Sequence, residues 1–306
     1  MTNLLEINNL SVDFPSRRGQ VSAVNKVSLA VAKGEVLGLV GESGAGKSTV
    51  GNSVINLLEP PGLISGGEII FDGTRIDQLS NEEMRKLRGT KIGTIFQDPQ
   101  TSLNPLMTIG KQLSETLIET LKISGASARE KSIELLDSVG IPDPEPRLNA
   151  YPHQFSGGMR QRVVIALALA GEPDLIIADE PTTALDVSIQ KQILDLMKSL
   201  CKQRNLGVII VTHDIGVIAE IADRVAVMYN GQLVEQGEVT QVLQKPKHDY
   251  TKSLISAVPS GDQKLHRFTV VDYIDGSTEK VTLENVSDHW LSRNKPSRTH
   301  DIAASV

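Results

Sequence analysis

Residues 41–48 read Gly41-Glu42-Ser43-Gly44-Ala45-Gly46-Lys47-Ser48 and fit the spacing G-x-x-x-x-G-K-[ST]. Glycines at such a turn let backbone N–H groups point at phosphate oxygens, and a following helix N-terminus adds partial positive charge there. Lys47 reaches the β- and γ-phosphates, and the Ser48 hydroxyl can ligate Mg²⁺. Thr49, next in the chain, belongs to the same nucleotide-contacting stretch. Further on, Leu175-Ile176-Ile177-Ala178 runs into two carboxylates. Asp179 is placed to hold Mg²⁺ through water, and Glu180 to take a proton from an attacking water. A third feature, Ser156-Gly157-Gly158, opens a helical stretch and forms a second anion cradle from two unhindered backbones, a hydroxyl and a dipole. One nucleotide does not need two cradles in one chain. A dimer in which each partner presents its cradle to the other's γ-phosphate does.

These groups need elements to hold them. The apolar run Val36-Leu37-Gly38-Leu39-Val40 reads as a buried strand leading into the loop, and a helix is expected from the loop to about Leu58. Short apolar runs over residues 4–40 (Leu5-Ile7, Val27-Leu29-Val31), broken by Gly and Pro, predict a strand-rich opening. Residues 98–165 read as helical, with Leu113, Leu117, Leu121 and then Ile133, Leu135, Leu136, Val139 near helical spacing. Pro142, Pro144 and Pro146 are expected to end that stretch. From Asp174 onward the pattern alternates: strand 175–178, helix 188–203, strand 208–211, helix 214–222, strand 225–228. Such alternation predicts an α/β core with a largely parallel sheet, whose ligands bind at the carboxyl ends of the strands.

Composition sets the outer bounds. The chain has 306 residues, room for one large domain or two modest ones. A net charge of −6 and 3% aromatics argue against a nucleic-acid partner held by a strong positive field or by stacking platforms. Cys201, the sole cysteine, has no partner for an internal disulfide. The opening Met-Thr-Asn-Leu-Leu-Glu lacks the basic and apolar regions of a secretory signal, and no apolar run reaches membrane-spanning length. A cytoplasmic location is expected, with any membrane role arising through partners.

In their order, Gly41–Ser48, Gln97, Phe155–Gln161, Asp179-Glu180, Ala184-Leu185-Asp186 and His213 resemble the ATP-binding subunits of ABC transporters. The resemblance covers residues 3–259. Phe155 replaces the Leu that usually starts the signature, and Met-Arg stands between the glycines and Gln161. The implied fold is a P-loop NTPase cassette with a RecA-like core, an N-terminal antiparallel β subdomain and a helical subdomain over about 98–165. The resemblance also implies roles. Phe14 would stack on adenine. Gln97 would touch metal and attacking water and begin the segment that senses the membrane subunit. Asp186 would line a dimer interface. His213, ending Val208-Ile209-Ile210-Val211-Thr212, would contact the γ-phosphate and orient Glu180. ATP and Mg²⁺ are the implied cofactors, and hydrolysis, not binding alone, is expected.

A narrower resemblance concerns the branch. Phe96–Pro105, Tyr151–Ser156, Asp179–Ser188 and His248–Leu254 are similar to the ATPases of peptide, nickel and opine importers. That branch implies two transmembrane permease subunits, a second related ATPase or a second copy of this chain, and an extracytoplasmic solute-binding protein. It places the chain on the cytoplasmic face of the inner (plasma) membrane as a peripheral subunit. Some members carry a tail cysteine cluster holding iron and sulfur; no cysteine follows Cys201, so none is expected here. An exporter ATPase is the nearer rival, and a soluble ATPase of translation or DNA repair the more distant one. Translation types usually fuse two cassettes and repair types insert long coiled coils, and this sequence shows neither. Residues 260–306 are expected to be an extension, with a β-hairpin around Asp275-Gly276 as a short β appendage and a frayed end over 295–306.

Overall fold

The structure, a computed structural model, describes residues 3–16, 19–183 and 185–257, and the backbone of 269–274 and 277–282. It divides into two units, Met1–His248 and Asp249–Val306.

The first unit opens with two strands of fourteen residues, β1 (Asn3–Ser16) and β2 (Gly19–Ala32), paired antiparallel. Leu5, Ile7, Leu10 and Val12 on β1, and Val24, Val27, Leu29 and Val31 on β2, are buried, so one face of the pair is apolar. β3 (Val36–Val40) leads through the glycine loop into α1 (Lys47–Val54). That helix stops four residues short of the expected Leu58. Asn56 turns into the left-handed region (φ 50), which Asn tolerates better than most residues, and breaks the helical repeat. Next come β4 (Leu63–Phe71), β5 (Thr74–Arg75), α2 (Asn81–Leu87) and β6 (Ile92–Ile95). The first sheet has the order β2-β1-β4-β5, antiparallel throughout.

The helical region is α3 (Pro99–Ser102), α4 (Ile109–Leu121), α5 (Gly125–Ser138), α6 (Pro144–Arg147) and α7 (Gly157–Leu169). The longer helices are capped as their sequences direct. Thr108, Ser124 and Ser156 accept from the backbone N–H of Lys111, Ser127 and Met159. Leu113, Leu117, Leu135, Leu136 and Val139 are buried between these helices, while Leu121 and Ile133 are half-buried. The prolines do not end the stretch. Helix α5 already stops at Ser138, where Gly140 takes φ 73 and Ile141 N–H returns to the Leu136 carbonyl; Pro144 then starts α6.

The remaining elements of this unit alternate: β7 (Leu175–Asp179), α8 (Val187–Arg204), β8 (Gly207–Thr212), α9 (Ile215–Ile221), β9 (Arg224–Tyr229), β10 (Gln232–Glu238) and α10 (Val239–Gln244). The second sheet has the order β10-β9-β3-β8-β7-β6, parallel except for β10 on β9. Its central strands are buried along their whole length, as continuous apolar runs in a doubly covered parallel sheet should be. One core joins the two sheets, with Ile7, Val27 and Ile69 packed with Leu37, Val50, Ile177 and Ile209.

Helix α7 is apolar nearly all round and buried from Val163 to Leu169 except at Leu167. At its far end backbone meets backbone. A Cβ on Gly93 of β6 would lie 2.4 Å from the Ala168 carbonyl oxygen, and one on Gly171 would lie 1.7 Å from that of Gly89. Only glycine fits either place.

In the second unit, α11 (Asp249–Ser256) is followed by β11 (Thr269–Ile274) and β12 (Ser277–Thr282). The two strands pair antiparallel with Ile274 opposite Ser277, the expected hairpin. The turn pair Asp275-Gly276 and residues 295–306 lie outside the described residues.

Candidate active site

The carboxyl ends of β3, β6, β7 and β8 converge on one region, because these strands are parallel neighbours in the order β3-β8-β7-β6. The glycine loop leaves β3. Gly46 caps α1 in the left-handed region (φ 93), where a Cβ would meet the Ala23 carbonyl at 2.3 Å. Ala45 is anchored inside: its N–H donates to the Glu42 carbonyl and its own carbonyl accepts from Gly231 N–H. Gly41 and Ala45 are buried, while Glu42, Ser43, Gly44 and Ser48 face outward. Ser48 and the half-buried Thr49 stand in the first turn of α1, where backbone N–H groups lack intrahelical acceptors.

Lys47 is 6% exposed, and its Nζ donates to the carbonyls of Gly41 (2.7 Å) and Glu42 (2.8 Å). Burial lowers its pKa, opposed by the negative charges of Glu180, Asp179 and Glu42. The ammonium thus sits inside the loop that a phosphate would enter.

Glu180 is where geometry is most specific. Its N–H continues the sheet by donating to the Val211 carbonyl, and its backbone then turns into the left-handed region (φ 46). A non-glycine residue held there costs energy that the surrounding contacts must offset. The carboxylate receives three bonds. His213 Nδ1 lies 2.7 Å from Oε1, while Gln97 Nε2 (3.1 Å) and Thr183 Oγ1 (2.8 Å) donate to Oε2. Burial pushes its pKa up, but the bonds from His213 and Thr183, with the charges of His213 and Lys47, outweigh it and leave the pKa lowered. A base kept ionised and aimed by three donors can accept one more proton from an adjacent water.

Asp179 differs. Burial raises its pKa; a bond from Ser48 opposes the rise, and the Glu180 charge adds to it. Its Oδ1 is buried without a protein partner. An orphaned carboxylate oxygen beside a serine hydroxyl suits a cation held partly by phosphate and water oxygens. Among the described residues no three His, Cys, Asp or Glu side chains gather to hold a metal ion by themselves. Because the folded pKa is raised, the ionised carboxylate costs stability at neutral pH, and that cost fades as pH falls through the folded pKa. Asp179→Asn should therefore melt higher than the parent without nucleotide at pH 7, and the difference should shrink as pH falls. It should also lose the extra stabilisation that MgATP gives the parent; calorimetry with and without MgATP checks both.

The other sequence-predicted residues fall in two places. Phe14 is half-buried opposite Val21 of β2, its ring against Gly62. Ser156, Gly157 and Gly158 form the N-terminus of α7 in a separate cluster: a Cβ on Gly157 would sit 3.7 Å from Leu185, and one on Gly158 2.6 Å from Ile189. Phe155, which stands where the signature usually has Leu, is buried (3% exposed). Asp186 is exposed at the start of α8 and its side chain makes no capping bond; Ala184 lies outside the described residues. Sequence reasoning missed Thr183, which lies four residues beyond the end of β7 in a turn that carries no periodic signal.

A phosphate loop on β3, an acid pair ending β7 and a polar residue ending each flanking strand define a P-loop nucleotide triphosphatase. Residues 24–183 match the family model described as "ABC transporter", and residues 234–281 match "Oligopeptide/dipeptide transporter, C-terminal region". The chain belongs to the ABC transporter ATP-binding family, and it is an ATP-binding, ATP-hydrolysing cassette. It is 52% identical over 270 residues to the oligopeptide transport ATP-binding protein OppD of Bacillus subtilis (strain 168), covering 87% of this chain and 75% of that one. It is 45% identical over 293 residues to the dipeptide transport ATP-binding protein DppD of Lactococcus lactis subsp. cremoris (strain MG1363), covering 95% and 83%. Among solved structures, it resembles the dimeric post-hydrolysis state of the cassette MJ0796 bound to ADP and Pi. There the TM-score is 0.68 and identity 31%, over 77% of this chain and 98% of that one. The chain also resembles cbiO1 from Clostridium perfringens (TM-score 0.70, 29% identity, 80% and 92% covered). No helix among the described residues is long and apolar enough to cross a membrane.

Proposed function

We propose that this chain is the ATP-hydrolysing subunit that powers a membrane importer of peptides. The observation carrying the import reading is the tail: residues 234–281 match the oligopeptide/dipeptide transporter C-terminal region, beyond the catalytic motifs that every rival would share. Peptide transport is also what the names of the similar OppD and DppD proteins describe. The cassette spans residues 1–259 with an extension over 260–306. It works at the cytoplasmic face of the membrane through two permease subunits, with a second related ATPase or a second copy of itself, and an extracytoplasmic solute-binding protein.

The residues divide the work. Gly41–Thr49 cradle the triphosphate, and Phe14 stacks on the adenine. Lys47 leaves the loop carbonyls for the β- and γ-phosphates. Ser48, Asp179 and Gln97 would hold Mg²⁺, which supplies charge neutralisation on the phosphates. Glu180 takes the proton of the attacking water, and His213 orients Glu180 and contacts the γ-phosphate. Ser156–Gly158 of one subunit and Asp186 at the adjoining face complete the partner's nucleotide site when two cassettes close. Asp186, exposed and unused as a cap, suits an interface role.

Affinity-tagged chain, purified from mildly solubilised native membranes and analysed by mass spectrometry, tests the assembly. Two permeases and a second related ATPase are expected. Recovery with ribosomes or DNA-repair factors and no permease would remove the transport reading and leave the ATPase chemistry.

A further inference from the structure

The turn after β7 carries a hydroxyl that closes on Glu180 twice. Thr183 N–H donates to the Glu180 carbonyl (3.2 Å), and Thr183 Oγ1 donates to Glu180 Oε2 (2.8 Å). The other two groups on this carboxylate come from elsewhere: Gln97 follows β6 and borders the helical region, and His213 ends β8. Thr183 alone belongs to the same turn as the residue it holds. Its bond therefore persists through any displacement of the helical region that draws Gln97 away. An ionised carboxylate has about four acceptor positions, so three donors leave about one for a water. Thr183 thus fixes both the rotamer of Glu180 and which acceptor position stays open.

From this geometry we infer that Thr183 is a positioning residue for Glu180 in ATP hydrolysis, acting through its hydroxyl and not by touching nucleotide. The inference rests on the reading of Glu180 as the base.

The experiment uses the assembled transporter and four variants: Thr183→Val, Thr183→Ser, Glu180→Gln and the double Thr183→Val/Glu180→Gln. Valine keeps the branched shape and removes the hydroxyl. Thr183→Val should lower kcat about 3- to 10-fold, with KM for ATP and the melting temperature unchanged. Thr183→Ser should recover most of the lost rate. In the Glu180→Gln background, single-turnover hydrolysis should show no further loss from Thr183→Val, because the group being positioned is gone. Wild-type kcat in Thr183→Val overturns the proposal. So does an equal fold-loss in both backgrounds, or a rise in KM with a lowered melting temperature, which a merely structural role would give. Wild-type turnover in Glu180→Gln alone would remove the base reading itself, a result separable from any behaviour of Thr183.

Discussion

Glu180→Gln in the assembled transporter should bind ATP as tightly as the parent and hydrolyse it about 10²–10³-fold more slowly. The reason lies in what glutamine keeps. Its amide oxygen still accepts from a donor such as Thr183 or His213, so the side chain stays in place between β6 and β8. It has no basic oxygen to take the water's proton. With binding intact and turnover blocked, the closed pair of cassettes should accumulate with ATP held between them. Phosphate release measured beside size-exclusion chromatography in ATP checks both halves. Turnover at the parent rate would remove Glu180 as the base. The left-handed backbone at Glu180 (φ 46) adds a second consequence. Strain there is held by the Val211 carbonyl and the Thr183 turn, so local mobility should not rise in the glutamine variant.

Lys47→Met should fail earlier in the cycle. Its ammonium is a buried cation whose charge is felt by Asp179 and Glu180, and it donates to the carbonyls of Gly41 and Glu42 in its own loop. Methionine preserves length and apolar contact but leaves those two carbonyls without their donor and the two carboxylates without their counter-charge. A charged hydrogen bond to phosphate is worth about 1.5–3 kcal/mol, so nucleotide affinity should fall roughly 10- to 100-fold. Hydrolysis should fall further, about 10³-fold, because the charge developing on the transferring phosphoryl also loses its cation. Equilibrium nucleotide binding and steady-state phosphate release separate the two. Affinity equal to the parent would mean that the loop backbone and helix dipole alone hold the triphosphate. The two variants should also differ in assembly: Glu180→Gln gathers the closed dimer, and Lys47→Met does not reach it.

What could be read from the residues beforehand was the chemistry fixed by short spacing. The phosphate loop, the acid pair and the strand-end His213 each occupy a strand-to-helix junction whose apolar strand is unmistakable, and those strands are the ones buried along nearly their whole length. Less regular segments stayed hidden. Strand β4 begins Leu63-Ile64-Ser65-Gly66-Gly67, which has the look of a loop, and it is a strand because β1 supplies the ladder along it. Helix α2 is seven residues long and buries only Met84, too little for periodicity to register. It did carry one usable sign: Ser80 and Glu83 form a capping box, the S-x-x-E pattern. Thr183 was invisible for a different reason. Its importance lies in a side-chain bond across three residues, which depends on the unusual backbone of Glu180 and has no signature in composition or period.

The glycines beneath α7 make that helix a pointer with a fixed heel. Gly93 and Gly171 let two carbonyls press against backbone at the end near Ala168, where no side chain could give way. The other end carries Ser156. Thirteen residues at 1.5 Å each put about 20 Å between heel and tip, so a tilt of only about 10° carries the tip roughly 3.5 Å. That is close to the length of one hydrogen bond. In the proposed dimer, a tilt of that size would be enough to make or break the contact of Ser156–Gly158 with the partner's γ-phosphate.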